Sequence, residues 1–273
     1  MNALLNQDTN LIRIDEIFVI SSGSTDGTDT IAEEFTGKGI ILIKQDKREG
    51  KASAVNEFLK ASRNNILVLE SADTYPEKTT VERLCLQFED KNIGMTGAHI
   101  IPKNDKQTFM GYVAHLLWNF HHQIALKSPK CGEMIAFRKI IDNIPIDIVL
   151  DETWIEYEIT KNNHRIAYIP EAIVYNKGPE TIRDFLKQRR KITYGYIDLF
   201  KRTQYKASSQ NLSLLISIVP KNFPLYSFKM WPWFFAAVML EGIVRFLGFY
   251  DYYIKKRRHS IWEIAQTTKD ITR

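Results

Sequence analysis

Ile66-Leu67-Val68-Leu69 runs into Glu70-Ser71-Ala72-Asp73, an apolar stretch suited to a buried strand that ends in a short acidic tip. Strand carboxyl ends in an open α/β sheet face the ligand crevice, so Asp73 is placed to hold a divalent cation there. The plainer role for Glu70 and Asp73 is to close the strand and cap the next helix. A second stretch, Ser21-Ser22-Gly23-Ser24-Thr25-Asp26-Gly27-Thr28, is a small-residue turn that opens a helix. Such a turn lets backbone N–H groups reach a phosphate, although it has neither the spacing nor the lysine of a P-loop. Arg48-Glu49-Gly50-Lys51 brings two cations to another helix start. Asp151-Glu152 precede a third helix, where an acidic first turn suits the helix dipole.

These residues need elements to carry them. Glu16–Ile20 and Ile40–Ile43 read as short strands, with helices through about Phe35 and from Ala52 to Ser62. A further helix begins near Pro76, with the proline early in its first turn. The order β-loop-α-β-α-β-α within 90 residues predicts a mostly parallel sheet covered by helices. Met95–Ile101, Gly132–Arg138, Ile166–Ile169 and Ala172–Tyr175 add strand-like pieces. Thr108–Leu126 and the basic span Thr181–Lys201 add helices.

The chain has 273 residues, 44% hydrophobic and 25% charged, which is the composition of a globular protein with a sizeable core. Cys85 and Cys131 argue against a disulfide framework and suit a reducing compartment. His121 and His122 are adjacent, not spaced as paired metal ligands, and read as structural or solvent-facing. The net charge of +5 favours anionic partners. Its concentration in Lys187–Lys206 and Lys255–His259 suits a membrane surface or a phosphorylated substrate, and no nucleic-acid partner is expected. No secretory signal is visible at the N-terminus.

Taken in order, the motifs resemble family 2, GT-A-type glycosyltransferases over roughly Ile17 to Gly195. Ser22 to Thr28 is similar to that family's nucleotide-binding turn, and Arg48-x-Gly50-Lys51-x-x-Ala54-x-Asn56 to its GKxxAxN segment. Ser71-Ala72-Asp73 sits where the family carries Asp-x-Asp. Gly132-Glu133 with Ala136-Phe137-Arg138 resembles the acceptor-side strand, Asp151-Glu152 the Glu-Asp pair, and Gln188-Arg189-Arg190-Lys191 the Gln-x-x-Arg region. The resemblance implies a GT-A-like, mostly parallel central sheet flanked by helices, and inverting transfer of a sugar from a nucleotide diphosphate donor. It implies Ser22, Asp26, Arg48, Gly50, Lys51, Ser71 and Asp73 on the donor, with Mn²⁺ or Mg²⁺ on Asp73. Glu152 would be the base, with Asp151 the alternative. Gly132, Glu133, Gln188, Arg189 and Arg190 would meet the acceptor or the departing diphosphate.

The chain departs from the pattern in three places. No Pro-x-x-Asn-Glu-type segment precedes Glu16, so a first strand is expected to be missing. Ser21 or Ser22 replaces the acidic residue of the nucleotide turn, and Ser71 the first Asp of Asp-x-Asp. Lys191-Ile192 replaces the Arg-Trp of processive enzymes, so processive synthesis is not supported.

Residues 1–205 read as the glycosyltransferase-like domain and 206–273 as an apolar helical tail. Within it, Trp231–Tyr253 is 23 residues, long enough to span a bilayer. Glu241 and Arg245 interrupt it four residues apart, and each charge costs about 2.5–3.5 kcal/mol near a bilayer centre. Aromatic ends and Lys255-Lys256-Arg257-Arg258 favour membrane association, in plane or as a hairpin with Asn211–Ser227, on the cytoplasmic face. A lipid-linked or other glycan acceptor is therefore expected. A catalytically impaired binding protein and a nucleotidyltransferase are the competing readings.

Overall fold

The computed structural model describes residues 1–222 and 228–256. A short helix α1 (Asn2–Leu5) precedes β1 (Ile17–Ser22), α2 (Thr28–Glu33), β2 (Ile40–Gln45), α3 (Lys51–Ala61), β3 (Ile66–Glu70) and β4 (Thr74–Pro76). Then come α4 (Thr80–Leu86), β5 (Ile93–Pro102), α5 (Phe109–Lys127), β6 (Met134–Arg138), α6 (Asp151–Lys161) and β7 (Arg165–Asn176). Three further helices, α7 (Ile182–Thr203), α8 (Leu212–Asn222) and α9 (Trp231–Tyr250), complete the described chain.

The expected α/β architecture is present, with helices on both faces of the strands, but the sheet is not mostly parallel. β1 and β2 pair parallel in a two-stranded sheet, while β3-β6-β5-β7-β4 form a separate sheet. In the larger sheet only β5 and β7 run parallel; the β3–β6, β6–β5 and β7–β4 pairings are antiparallel. The reason lies in where β6 starts. The Ser71 amide donates to the Glu133 carbonyl at 2.9 Å, so β6 enters at the end where β3 finishes and must run back along it. Alternation of strands and helices does not reveal which end of a sheet the chain re-enters.

Two smaller readings change as well. Pro76 ends the edge strand β4 and does not begin a helix; α4 starts at Thr80. Proline is tolerated there because an edge strand leaves one row of donors unused. The two pieces at Ile166–Ile169 and Ala172–Tyr175 are one strand, β7, whose pairing with β5 is offset by a bulge between the Ala98–Ile169 and His99–Ile173 partners.

Apolar residues divide between the two faces of β3. Leu67 and Leu69 pack with Val55, Phe58 and Leu59 of α3 and with Ile155 and Ile159 of α6. Ile66 and Val68 face Val81 and Leu84 of α4. Phe137, fully buried in β6, pairs across to Leu67 on one side and Met95 on the other, joining three strands. Phe137→Ala should cost about 3–5 kcal/mol, the usual range for emptying a buried phenylalanine site, measured as a lowered urea midpoint with unchanged slope.

Candidate active site

A cavity of about 1500 Å³ opens at the carboxyl ends of β1, β3 and β7. Its walls include Asp26, Arg48, Lys51, Ser71, Asp73, Gly132, Glu133, Asp151, Glu152, Gln188 and Arg189, so most of the residues singled out in the sequence share one hollow. Three of the singled-out residues act from behind the wall. Ser22 Oγ accepts from the Glu49 amide at 3.1 Å and braces the loop that carries Arg48. Gly50, at φ 95°, makes the turn into α3, a conformation that favours glycine. Gly23 is needed for a close approach, since a Cβ there would lie 2.5 Å from the Arg48 nitrogen.

Lys51 is the hub. Its Nζ donates to Glu152 Oε1 at 2.5 Å and to Ser71 Oγ at 3.3 Å, and lies 3.1 Å from Asp151 Oδ2. Burial works against its charge, yet the Asp151 and Glu152 carboxylates outweigh that and hold the ammonium above its ordinary range. Glu152 is disfavoured as an anion by burial, but Lys51 keeps it below the usual carboxylate range. Asp151, with a side chain only 5% exposed, is pushed up to about 7 by burial and by the neighbouring Glu152. Two adjacent carboxyls thus differ in character: one is held ionised and the other titrates near neutrality.

Glu133 sits at φ 58°, a left-handed conformation uncommon outside glycine, and its side chain bonds Ser71. Burial, Asp73 and Glu152 together push it up to about 7. Among the described residues no group of three or more His, Cys, Asp or Glu side chains is arranged to hold a metal. Asp73 and Glu133 still offer two interacting oxygen donors on one wall. That donor chemistry fits a hard cation that completes its shell with phosphate oxygens and water.

The Gln-Arg-Arg segment divides. Gln188 and Arg189 line the cavity, and Arg189 Nη2 donates to Glu241 Oε1 of α9 at 2.7 Å. Arg190 is not on the cavity wall but forms a two-pronged ion pair with the fully buried Asp251. The expected contact of Arg190 with acceptor or diphosphate is therefore corrected: its carboxylate partner lies 61 residues along the chain, beyond any local pattern. Sequence reasoning missed Lys130 and Lys177, which also line the cavity, as does Lys187, noted only as the start of a basic span. Lys177 directly follows β7, so the strand-end rule that picked out Asp73 also points to it.

The sequence pattern of glycosyl transferase family 2 matches residues 1–146. The chain belongs to that family. Relatives include a Bacillus subtilis (strain 168) protein named "Probable glycosyltransferase YdaM", 22% identical over 88% of this chain and 60% of its own. Another is the poly-beta-1,6-N-acetyl-D-glucosamine synthase of Staphylococcus aureus (strain COL), also 22% identical, over 86% of this chain and 55% of its own. The family 2 chain thus spans little more than half the length of these relatives. The fold is that of the GT-A mannosyltransferase PcManGT from Pyrobaculum calidifontis, solved with GDP-mannose and Mn²⁺. That likeness has a TM-score of 0.65 at 16% identity over 94% of this chain and 82% of that one.

The raised Asp151 carboxyl has a measurable consequence. Its folded-state value near 7 exceeds the unfolded value of about 3.9, so the folded state binds the extra proton and stability from this group falls as pH rises between about 4 and 7. Asp151→Asn lacks that loss. Melting of the variant and parent in chelator at pH 5 and pH 8 should show the variant gaining relative to the parent at the higher pH.

Proposed function

We propose that this chain transfers a sugar, with inversion, from a nucleotide diphosphate donor to an acceptor hydroxyl at a membrane surface. The observation that carries the reading is the shared hollow itself, in which Asp73 and the Asp151–Glu152 pair face one cavity ringed by Arg48, Lys51, Lys130, Lys177, Lys187 and Arg189. Glu152, the more exposed member of the pair and held ionised by Lys51, accepts the proton of the acceptor hydroxyl as that oxygen bonds to the anomeric carbon. The bond from that carbon to the diphosphate breaks in the same step, and the surrounding cations receive the departing charge. Asp73 and Glu133 would hold Mn²⁺ or Mg²⁺, which supplies charge neutralisation to the diphosphate. Asp151, the less exposed of the two, shares Lys51 with Glu152.

The membrane part of the reading draws on α9. One of its faces packs on α7 through Ala237, Val244 and Gly248 and through the Glu241 and Asp251 ion pairs. The other face leaves Phe235, Met239, Phe246 and Phe249 half or more exposed. The helical span Phe228–Lys255 is long and apolar enough to cross a bilayer, but its sideways ion pairs to α7 favour an in-plane position. Exposed Lys229, Lys255 and Lys256 suit an anionic leaflet; the remainder of the basic flank and residues 223–227 of the expected hairpin lie outside the described residues. A lipid-linked acceptor follows from that position. A binding-only reading draws on Ser71 in place of an acid and on the Lys51 contact that occupies Glu152.

Two measurements test the proposal. Purified protein incubated with GDP-mannose, UDP-glucose or UDP-N-acetylglucosamine and Mn²⁺ should release nucleoside diphosphate. Glu152→Gln should lower that rate by about 10²–10⁴-fold while nucleotide binding persists. Released pyrophosphate would identify a nucleotidyltransferase, and the absence of both turnover and nucleotide binding would favour the binding-only reading. In flotation with vesicles containing phosphatidylglycerol the protein should rise with the lipid, and Phe246→Glu combined with Phe249→Glu should leave it in the dense fraction. Parent protein that stays behind would remove the membrane assignment.

A further inference from the structure

Among the cations around the hollow, Lys130 stands apart. Lys51, Lys177 and Arg189 each hold a carboxylate. Among the described residues Lys130 forms no such pair; its polar neighbour is the Tyr196 hydroxyl, and the ammonium lies 5.9 Å from the centre of that ring. Glu156 acts on it only from a distance, because that carboxylate is fully buried and accepts from the Tyr205 hydroxyl at 2.5 Å. A half-buried ammonium with hydrogens to spare is costly until an anion meets it. A second unsatisfied group stands beside it. His121 is 9% exposed and its Nε2 has no hydrogen-bond partner. Burial first, and the Lys130 charge second, disfavour its protonation, so it stays neutral. Both residues line the cavity.

Two helices lead to this place. α5 lines the cavity with Met110, Ala114, Leu117, Trp118 and His121, and α7 with Phe185, Gln188, Arg189, Ile192 and Tyr196. These positions recur at helical spacing, so each helix turns one stripe toward the hollow. His121 and Tyr196 stand at Lys130, about three turns after Met110 and Phe185, which pack in one apolar cluster with α9. The α5 stripe is apolar from Met110 to Trp118, so an apolar wall leads away from the ammonium for roughly 16 Å at 1.5 Å per residue. In the other direction Lys130 precedes Glu133 by three residues, which span at most about 10 Å, and Glu133 faces Glu152. The groups that face Lys130 and those that face Lys51 do not overlap.

Building on the transfer reading above, we propose that Lys130, Tyr196 and His121 hold the phosphate of an amphiphilic acceptor, a phosphate ester whose hydrocarbon chain lies along α5 and α7 and whose reacting hydroxyl reaches Glu152. Lys130 supplies a point charge, and neutral His121 supplies one N–H to a phosphate oxygen. Of the cations around the hollow, Lys130 thus serves the acceptor, while Arg48 and Lys51 face the donor. The apolar end of the stripe is also where α9 packs, so the chain runs toward the helix proposed to lie at the membrane.

Calorimetric titration of the full chain, without vesicles or turnover, tests this. Farnesyl phosphate should bind, and farnesol or inorganic phosphate should each bind at least about tenfold more weakly, the scale of one lost charged contact. Lys130→Gln should weaken farnesyl phosphate at least about tenfold, while Lys130→Arg, which keeps the charge, should stay within about threefold of the parent. Saturating UDP or GDP with Mn²⁺ should leave the ligand bound. No binding to the parent, equal binding of farnesol, unchanged affinity in Lys130→Gln, or displacement by nucleotide overturns the proposal. Equal loss in Lys130→Arg marks a packing role and overturns it as well. Inorganic phosphate that binds as tightly as farnesyl phosphate overturns it in favour of a water-soluble phosphate ester. Failure of the transfer reading is separate: nucleoside diphosphate release is then absent while Lys130-dependent binding persists.

Discussion

The Lys51 ammonium is the point on which the site depends. It stands at the first turn of α3 and holds two carboxylates from the first turn of α6 and a hydroxyl from the tip of β3. Three elements that are far apart in sequence are thereby fixed to one atom. Without that charge, Asp151 and Glu152 would face each other buried with no cation between them, and ionising either would cost more. The same contact joins the half of the fold that carries the nucleotide turn to the half that carries the acid pair. A second clamp repeats the connection through neutral groups. Asn56, one turn along the same helix, bonds both the amide and the carbonyl of Ile144 at 2.8 Å, which fixes the segment leading into α6.

Much of this was legible in the chain because strand ends advertise themselves. Ile66–Leu69 followed by an acidic tip, and Ile17–Ile20 followed by a glycine-rich turn, each mark a buried strand that must stop where ligands sit. The family resemblance added the roles of Asp151 and Glu152, and the fold agrees with the GT-A architecture that it implied. What remained hidden depends on pairing over long separations. The direction of β6 follows from its starting point beside Ser71, which no local pattern encodes. Glu241 and Asp251, the partners of Arg189 and Arg190, lie in the span Trp231–Tyr253, read from sequence as part of an apolar helical tail. Only packing on α7 shows that these two carboxylates belong to the inner face, while Arg245 stays exposed. Glu133 was legible as a motif residue but not as a left-handed kink that turns its carboxyl toward Asp73.

The acid pair also shows how burial and one cation sort chemically similar groups. Asp151 and Glu152 are neighbours in sequence and share a partner, yet one is held as an anion while the other is lifted toward neutrality. The difference comes from depth: both line the cavity, but the glutamate side chain is 17% exposed and the aspartate side chain 5%. An Asp151 lifted toward neutrality leaves less charge for Lys51 to balance, so more of the cation's pull falls on Glu152.

Arg189 and Arg190 are consecutive on α7, but their partners are ten residues apart, Glu241 within α9 and Asp251 directly after its end. Two pins at different heights stop a rod from both sliding and turning, so α9 cannot shift by a turn without stranding charged groups in an apolar contact. The rod and the helix beneath it therefore move as a single lever. A tilt of the outer aromatic face is thereby coupled to Gln188 and Arg189 on the cavity wall, a mechanical link between that face and the shape of the hollow.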